Sequence, residues 1–170
     1  MHDDLPTPAR VADTVWLIRH LAASAGNPQR LPGQVQRLLV ERSLCREDGY
    51  VLLTRLVDLL PRPLCVAPPC CTLRSRHERI IAAALLALET DDRAGLRRAM
   101  QDLAAPVGMS DEEVRRAGDV LARLAGYDPS MRCRRSRGNG GAARGRTASD
   151  TSDTALSSPA IRFDLRAPHL

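Results

Sequence analysis

The residues best suited to chemistry gather in one short stretch: Cys65, Cys70, Cys71 and His77, with Arg74, Arg76 and Arg79 among and beside them. Three sulfurs and one ring nitrogen make up a recognised structural zinc set. The spacing Cys-x4-Cys-Cys-x5-His differs from the usual pair of short chelating loops, and adjacent cysteines do not easily aim both sulfurs at one tetrahedral ion. A second chemistry is that of a reactive thiol. Cys70 and Cys71 arrive just before Ser75-Arg-His-Glu78, the Ser-x-x-Glu signature of a helix start, where unpaired N–H groups, the helix dipole and the arginines together activate a thiol. A third is capture of an oxyanion or phosphate by the same group, Cys70, Cys71, Arg74, Arg76 and His77. No glycine-rich loop precedes that helix start, however, and Glu78 competes for its donors. The plainest expectation for the cysteines is that they are small buried side chains packing an extended segment over the core.

Other catalytic arrangements have little to work with. His20 and His77 are the only histidines away from the ends of the chain, and Cys71 with His77 is the best nucleophile and base pair, but no orienting partner or oxyanion hole is evident. His20, beside Leu21, reads as a boundary or surface residue. All 25 basic residues are arginine, which excludes Schiff-base lysine chemistry and a Walker-type phosphate lysine. The expectation is a non-enzymatic protein that needs no cofactor, zinc being the one alternative.

Charge divides the chain. Residues 1–128 carry 17 Arg against 17 Asp and Glu, whereas residues 129–170 carry 8 Arg against 3 Asp, so the net charge of +5 belongs to the tail. There Gly, Ser, Arg and Thr dominate and helical periodicity disappears, which predicts a disordered basic tail over residues 128–170. Arg132, Arg134, Arg135, Arg137, Arg144 and Arg146 lie in a stretch without acids, similar to arginine- and glycine-rich segments that coat nucleic acid. No aromatic there could stack on a base, and an arginine-rich, lysine-free composition is equally the mark of GC-rich coding. Ile161, Phe163 and Leu165 form the tail's one apolar patch.

The elements that must position these groups are helical throughout residues 7–127, after a flexible N-terminus of residues 1–6. Thr7-Pro8 predicts a cap and first-turn proline for a helix running to about Ser24, with Val11, Val15, Ile18 and Leu21 on one stripe, Trp16 at its edge and Gly26 as the stop. A second helix is expected from about Pro32 to Leu44 with Val35, Leu38 and Leu39 inward, and a third from about Glu47 to Leu60, ended by Pro61. Four prolines in residues 61–71 forbid a helix and force an extended crossing. A fourth helix then follows Ser75 to about Glu89. Asp91-Asp92 caps a fifth, which carries Leu96, Met100 and Leu103 and is stopped by Pro106. Ser110-Asp-Glu-Glu113 opens a sixth, with Val114, Ala117, Val120, Leu121 and Leu124 inward and Gly126 closing it. The third and fourth helices, apolar almost all round, are expected at the centre. The acidic start of the sixth helix argues against a DNA-reading helix-turn-helix.

The fold class predicted is all-α, a single bundle of about six helices with a disordered basic C-terminal tail. The first 127 residues, and above all Val66-Ala67-Pro68-Pro69-Cys70-Cys71, resemble a family of small uncharacterised bacterial helical proteins with a Val-Ala-Pro-x-Cys-Cys segment between two helices. That resemblance implies the fold and marks the segment, and implies no activity. The longest apolar run, Ile80–Leu88, is about half the roughly 20 residues needed to cross a bilayer. No basic leader opens the sequence at Met1-His2-Asp3-Asp4, so a cytoplasmic location with its five cysteines as thiols is expected and no membrane partner is. The leading functional expectation is an interaction or regulatory protein that meets a protein partner. A thiol- or metal-responsive sensor built on Cys65, Cys70, Cys71 and His77, and non-specific nucleic-acid binding through the tail, are the alternatives.

Overall fold

The computed structural model describes residues 8–25 and 27–127. Among them are α1 (Ala9–Ala23), a short 3-10 turn (Pro28–Arg30), α2 (Gly33–Glu41), α3 (Arg46–Asp58), α4 (Arg76–Glu89), α5 (Arg93–Ala104) and α6 (Asp111–Leu124), with no β-strand. The all-α bundle of six helices is therefore as expected. None of these helices is long and apolar enough to cross a membrane. Thr7, Gly26, the N-terminal residues 1–6, and the tail with its eight arginines and its Ile161, Phe163 and Leu165 lie outside the described residues.

Helix starts follow local chemistry. Ser75 and Ser110 each accept the N3 backbone N–H while Glu78 and Glu113 reach back to the cap N–H, so both expected capping boxes form. Asp92 accepts from the Gly95 N–H at 2.8 Å to open α5. A third capping box was hidden in the sequence: Cys45 accepts the Asp48 N–H through sulfur at 3.3 Å, and Asp48 accepts the Cys45 N–H at 3.0 Å. Sulfur is a weak acceptor in a place where serine excels. Cys45→Ser should therefore produce a small rise in Tm, and Cys45→Ala a fall, in thermal melts followed by circular dichroism.

Two boundaries differ from expectation. Pro8 is the cap of α1 rather than its first helical residue, with φ −50° and ψ 139°. The second helix stops at Glu41, well before Leu44, because Ser43 turns to φ 56° and the Leu44 N–H closes back on the Leu39 carbonyl. Gly126 follows α6 at φ 72°, a conformation that favours glycine, with the Arg42 side chain packed over it. Arg42 also donates to the Leu124 carbonyl, satisfying one of α6's free acceptors.

Of the two helices expected at the centre, α3 departs from expectation. α3 buries Leu52, Leu53 and Leu56 on one face, while Val51 on another is 49% exposed. It packs chiefly on α6 rather than on α4. α1 also lies inside, its buried stripe of Val11, Val15, Leu17, Ile18 and Leu21 meeting α2, α3 and α4. α4 does lie inside as expected, packed between α1, α5 and α6 with Ile81, Ala84 and Leu85 buried. Gly49 lets α3 approach closely, since a Cβ there would stand 3.1 Å from Leu39 and 3.3 Å from Leu21. At the end of the bundle the Tyr127 hydroxyl donates to Glu89 at 2.6 Å, and the Arg10 guanidinium from the first turn of α1 lies 5.1 Å from the Tyr127 ring.

Candidate functional site

The crossing from α3 to α4 buries Leu64, Val66 and Ala67 in the core, so its backbone polar groups need partners away from water. Its prolines have removed the usual ones. Two side chains replace them. Arg19 on α1 donates through Nε and Nη2 to the two Glu78 carboxylate oxygens at 2.6 and 2.8 Å, a bidentate pair. Its remaining donors go to the carbonyls of Cys71 at 2.6 Å and Leu73 at 2.8 Å. Glu78, fully buried in the first turn of α4, accepts the N–H of Ala67 at 2.9 Å and of Ser75 at 2.6 Å.

A second layer surrounds this pair. The Ser75 hydroxyl donates to the Cys65 carbonyl at 2.9 Å, and the Cys65 N–H donates to His77 Nδ1 at 2.9 Å. No buried side-chain polar atom among the described residues lacks a partner. Burial pushes the Glu78 carboxyl up, but Arg19 and the two backbone donors outweigh it and hold the group below the usual carboxylate range. The Glu78 hydrogen bond raises Arg19 in turn. Burial, aided by Arg76, lowers His77, while burial and then Arg19 lower His20, which is half-buried in an edge-on contact with Trp16.

This network overturns two expectations. The amino end of α4 is not open to an external oxyanion, because the Glu78 carboxylate already takes the Ser75 N–H, the Ala67 N–H and Arg19. Of the group expected there, Cys70, Cys71 and Arg74 line one groove, Arg76 is exposed, and His77 accepts the Cys65 N–H. Nor are the cysteines packing residues. Cys70 is exposed, Cys65 and Cys71 are partly exposed, and the buried side chains of the crossing are Leu64, Val66 and Ala67. Four prolines leave the segment too irregular for period-based burial to be read. Among the described residues no three His, Cys, Asp or Glu side chains are grouped to hold a metal ion, so Cys65, Cys70, Cys71 and His77 do not form a joint ligand set.

What the lock builds is a groove of about 790 Å³ between α1, α2 and the crossing. Val15, Trp16 and Leu38 supply its apolar lining, and Cys70 and Cys71 lie along its edge. Its charge is mixed: Asp13 and Glu41, both of which act on Arg42, share the lining with Arg37 and Arg74. A smaller groove of about 400 Å³ separates α3 from α6, with Leu52, Leu59 and Val120 beside Arg55, Arg116 and Arg123.

The sequence marked Glu78 as a cap and left Arg19 unnoticed. The available signal was an arginine set between Ile18 and Leu21 on the apolar stripe of a helix, where an unpaired charge would be costly. An all-helical bundle with a side-chain-locked crossing and an open groove of mixed charge is the class the geometry defines. The chain has no significant match to any protein-family model, curated protein or solved structure.

Proposed function

We propose that the protein is a non-enzymatic interaction module that meets a protein partner through the groove between α1, α2 and the crossing. The observation that carries this reading is the groove itself: an apolar patch bearing the chain's single tryptophan, lined as well by side chains of both charges. Such a surface suits an extended peptide segment whose apolar side chain covers Trp16 and Leu38. Its acidic residue would face Arg37, and a basic one Asp13 and Glu41. The setting is a reducing one such as the cytoplasm, in which Cys70 and Cys71 persist as thiols.

The test places a photo-crosslinker on Cys70 and, as a control, on the outer face of α5 at Arg98. A crosslink to an apolar and acidic segment that forms only from Cys70, and that Arg37→Glu abolishes, is the expected result. Equal crosslinking from both positions, or capture unaffected by Arg37→Glu, overturns the reading. Capture of the chain's own residues 161–166 would replace the external partner with an internal one.

A thiol-responsive role is the second reading, favoured by the exposure of Cys70 and the partial exposure of Cys71 beside the same groove.

A further inference from the structure

We propose that Cys70 and Cys71 form a two-thiol site for a trivalent organoarsenical, a soft ligand whose organic group lies on the apolar lining of the groove. The proposal rests on the thiol-responsive reading and names its ligand class.

Three observations define the site. The first is the pair's placement: Cys70 and Cys71 end the turn Pro68–Cys71, closed by the Cys71 N–H donating to the Pro68 carbonyl at 2.9 Å, and both line the groove. The second is that the turn resists a direct disulfide. Consecutive Cα atoms stand about 3.8 Å apart, below the roughly 4.4–6.8 Å that disulfides span. Closing that bond would require the peptide between them to rebuild, yet its N–H is committed to Pro68, and the carbonyl of the following peptide, that of Cys71, to Arg19, itself held by Glu78. An atom inserted between the sulfurs lengthens the bridge and lifts that demand.

The third observation selects the atom. A tetrahedral ion such as zinc requires four ligands, and no third His, Cys, Asp or Glu among the described residues is grouped with the pair. A three-coordinate pyramidal centre that brings one carbon substituent of its own needs only two thiolates. Val15, Trp16 and Leu38 offer apolar surface to that substituent.

The reaction is a condensation without change of oxidation state. The two S–H bonds and the arsenic–oxygen bond of an arsine oxide break, two arsenic–sulfur bonds form, and the oxygen leaves with both protons as water.

Phenylarsine oxide titrated into the reduced full chain tests this. One equivalent is expected to add, to change the emission of Trp16, the only tryptophan, and to shield Cys70 and Cys71 but not Cys45 or Cys65 from alkylation. A dithiol should remove it and a monothiol should not. Because the second bond closes intramolecularly, Cys70→Ser or Cys71→Ser should each weaken binding by roughly 10²–10⁴-fold, and a Cys133→Ser variant should bind as the parent does. Both serine changes fall outside the core, and circular dichroism verifies their folding. Retention of the dithiol-reversible adduct in either serine variant overturns the proposal, as does an unchanged Trp16 signal or ready formation of a Cys70–Cys71 disulfide with glutathione disulfide. The purified chain suffices, so this experiment fails or succeeds independently of any partner in the groove; Cys70 and Cys71 that alkylate no faster than Cys45 would sink the thiol-responsive reading itself, whereas fast alkylation without arsenical capture sinks only the ligand named here.

Discussion

Arg19→Ala is expected to destabilise the bundle by about 3–5 kcal/mol, the range for removing one member of a buried ion pair. The substitution strands the Glu78 carboxylate, which is fully buried, and leaves the carbonyls of Cys71 and Leu73 without their donor. Glu78→Ala should cost a similar amount, since it strands the guanidinium and frees the N–H groups of Ala67 and Ser75. Replacing both ions with apolar residues is often harmless in other proteins. Here the double variant Arg19→Met with Glu78→Leu should remain destabilised, because each ion also serves two backbone groups that no apolar side chain can satisfy. Urea denaturation of the four proteins measures this directly; a double variant as stable as the parent would refute the backbone-serving role.

The same pair sets a dependence on acidity. The Glu78 carboxyl is held below its ordinary value in the folded chain, so its contribution is present in full above the unfolded-state pKa of about 4.3 and is lost as pH falls through the folded value. The parent should lose stability on the acid side of that point more steeply than Glu78→Gln does. Equal slopes for the two proteins would mean that Glu78 is not the group responsible.

Leu85→Ala is expected to cost about 2–5 kcal/mol through lost burial and the cavity left behind. Leu85 is fully buried on α4, the helix wedged between α1, α5 and α6, so no single neighbour can collapse into the space. Leu86, next to it, is 38% exposed. Its alanine variant should fall within about 1 kcal/mol of the parent, as substitutions outside the core usually do. Thermal and urea melts of the two distinguish them, and unlike the ion-pair variants Leu85→Ala should keep the parent's pH profile. Equal losses at both positions would mean that the face of α4 has been misassigned.

Much of the frame is legible in the sequence because it is local. Ser75 with Glu78 and Ser110 with Glu113 announce their helices three residues apart, and Val11, Val15, Ile18 and Leu21 show the inward face of α1 by spacing alone. What failed depends on distant residues or on angle. Arg19 and Glu78 are 59 positions apart, so neither predicts the other. Apolar content alone places α3 at the centre, but Val51 is half exposed, away from the buried Leu52, Leu53 and Leu56. Cysteine's general preference for the interior misled at Cys70, because a proline-rich turn has no period from which to read which side faces water. Cys45 as a cap was missed because sulfur seldom fills that role.

Arg10 on the first turn of α1 and Tyr127 just past α6 meet at one corner, and this contact makes the bundle close to circular in its topology. A short linker could join those two points without crossing the molecule, and new ends could then be opened in the α5–α6 connection, where Val107 is 72% exposed and buries little. The order in which the described helices are strung would change while their packing and the Arg19–Glu78 clasp stayed as they are. The fold thus belongs to the packing of its helices more than to their sequence order.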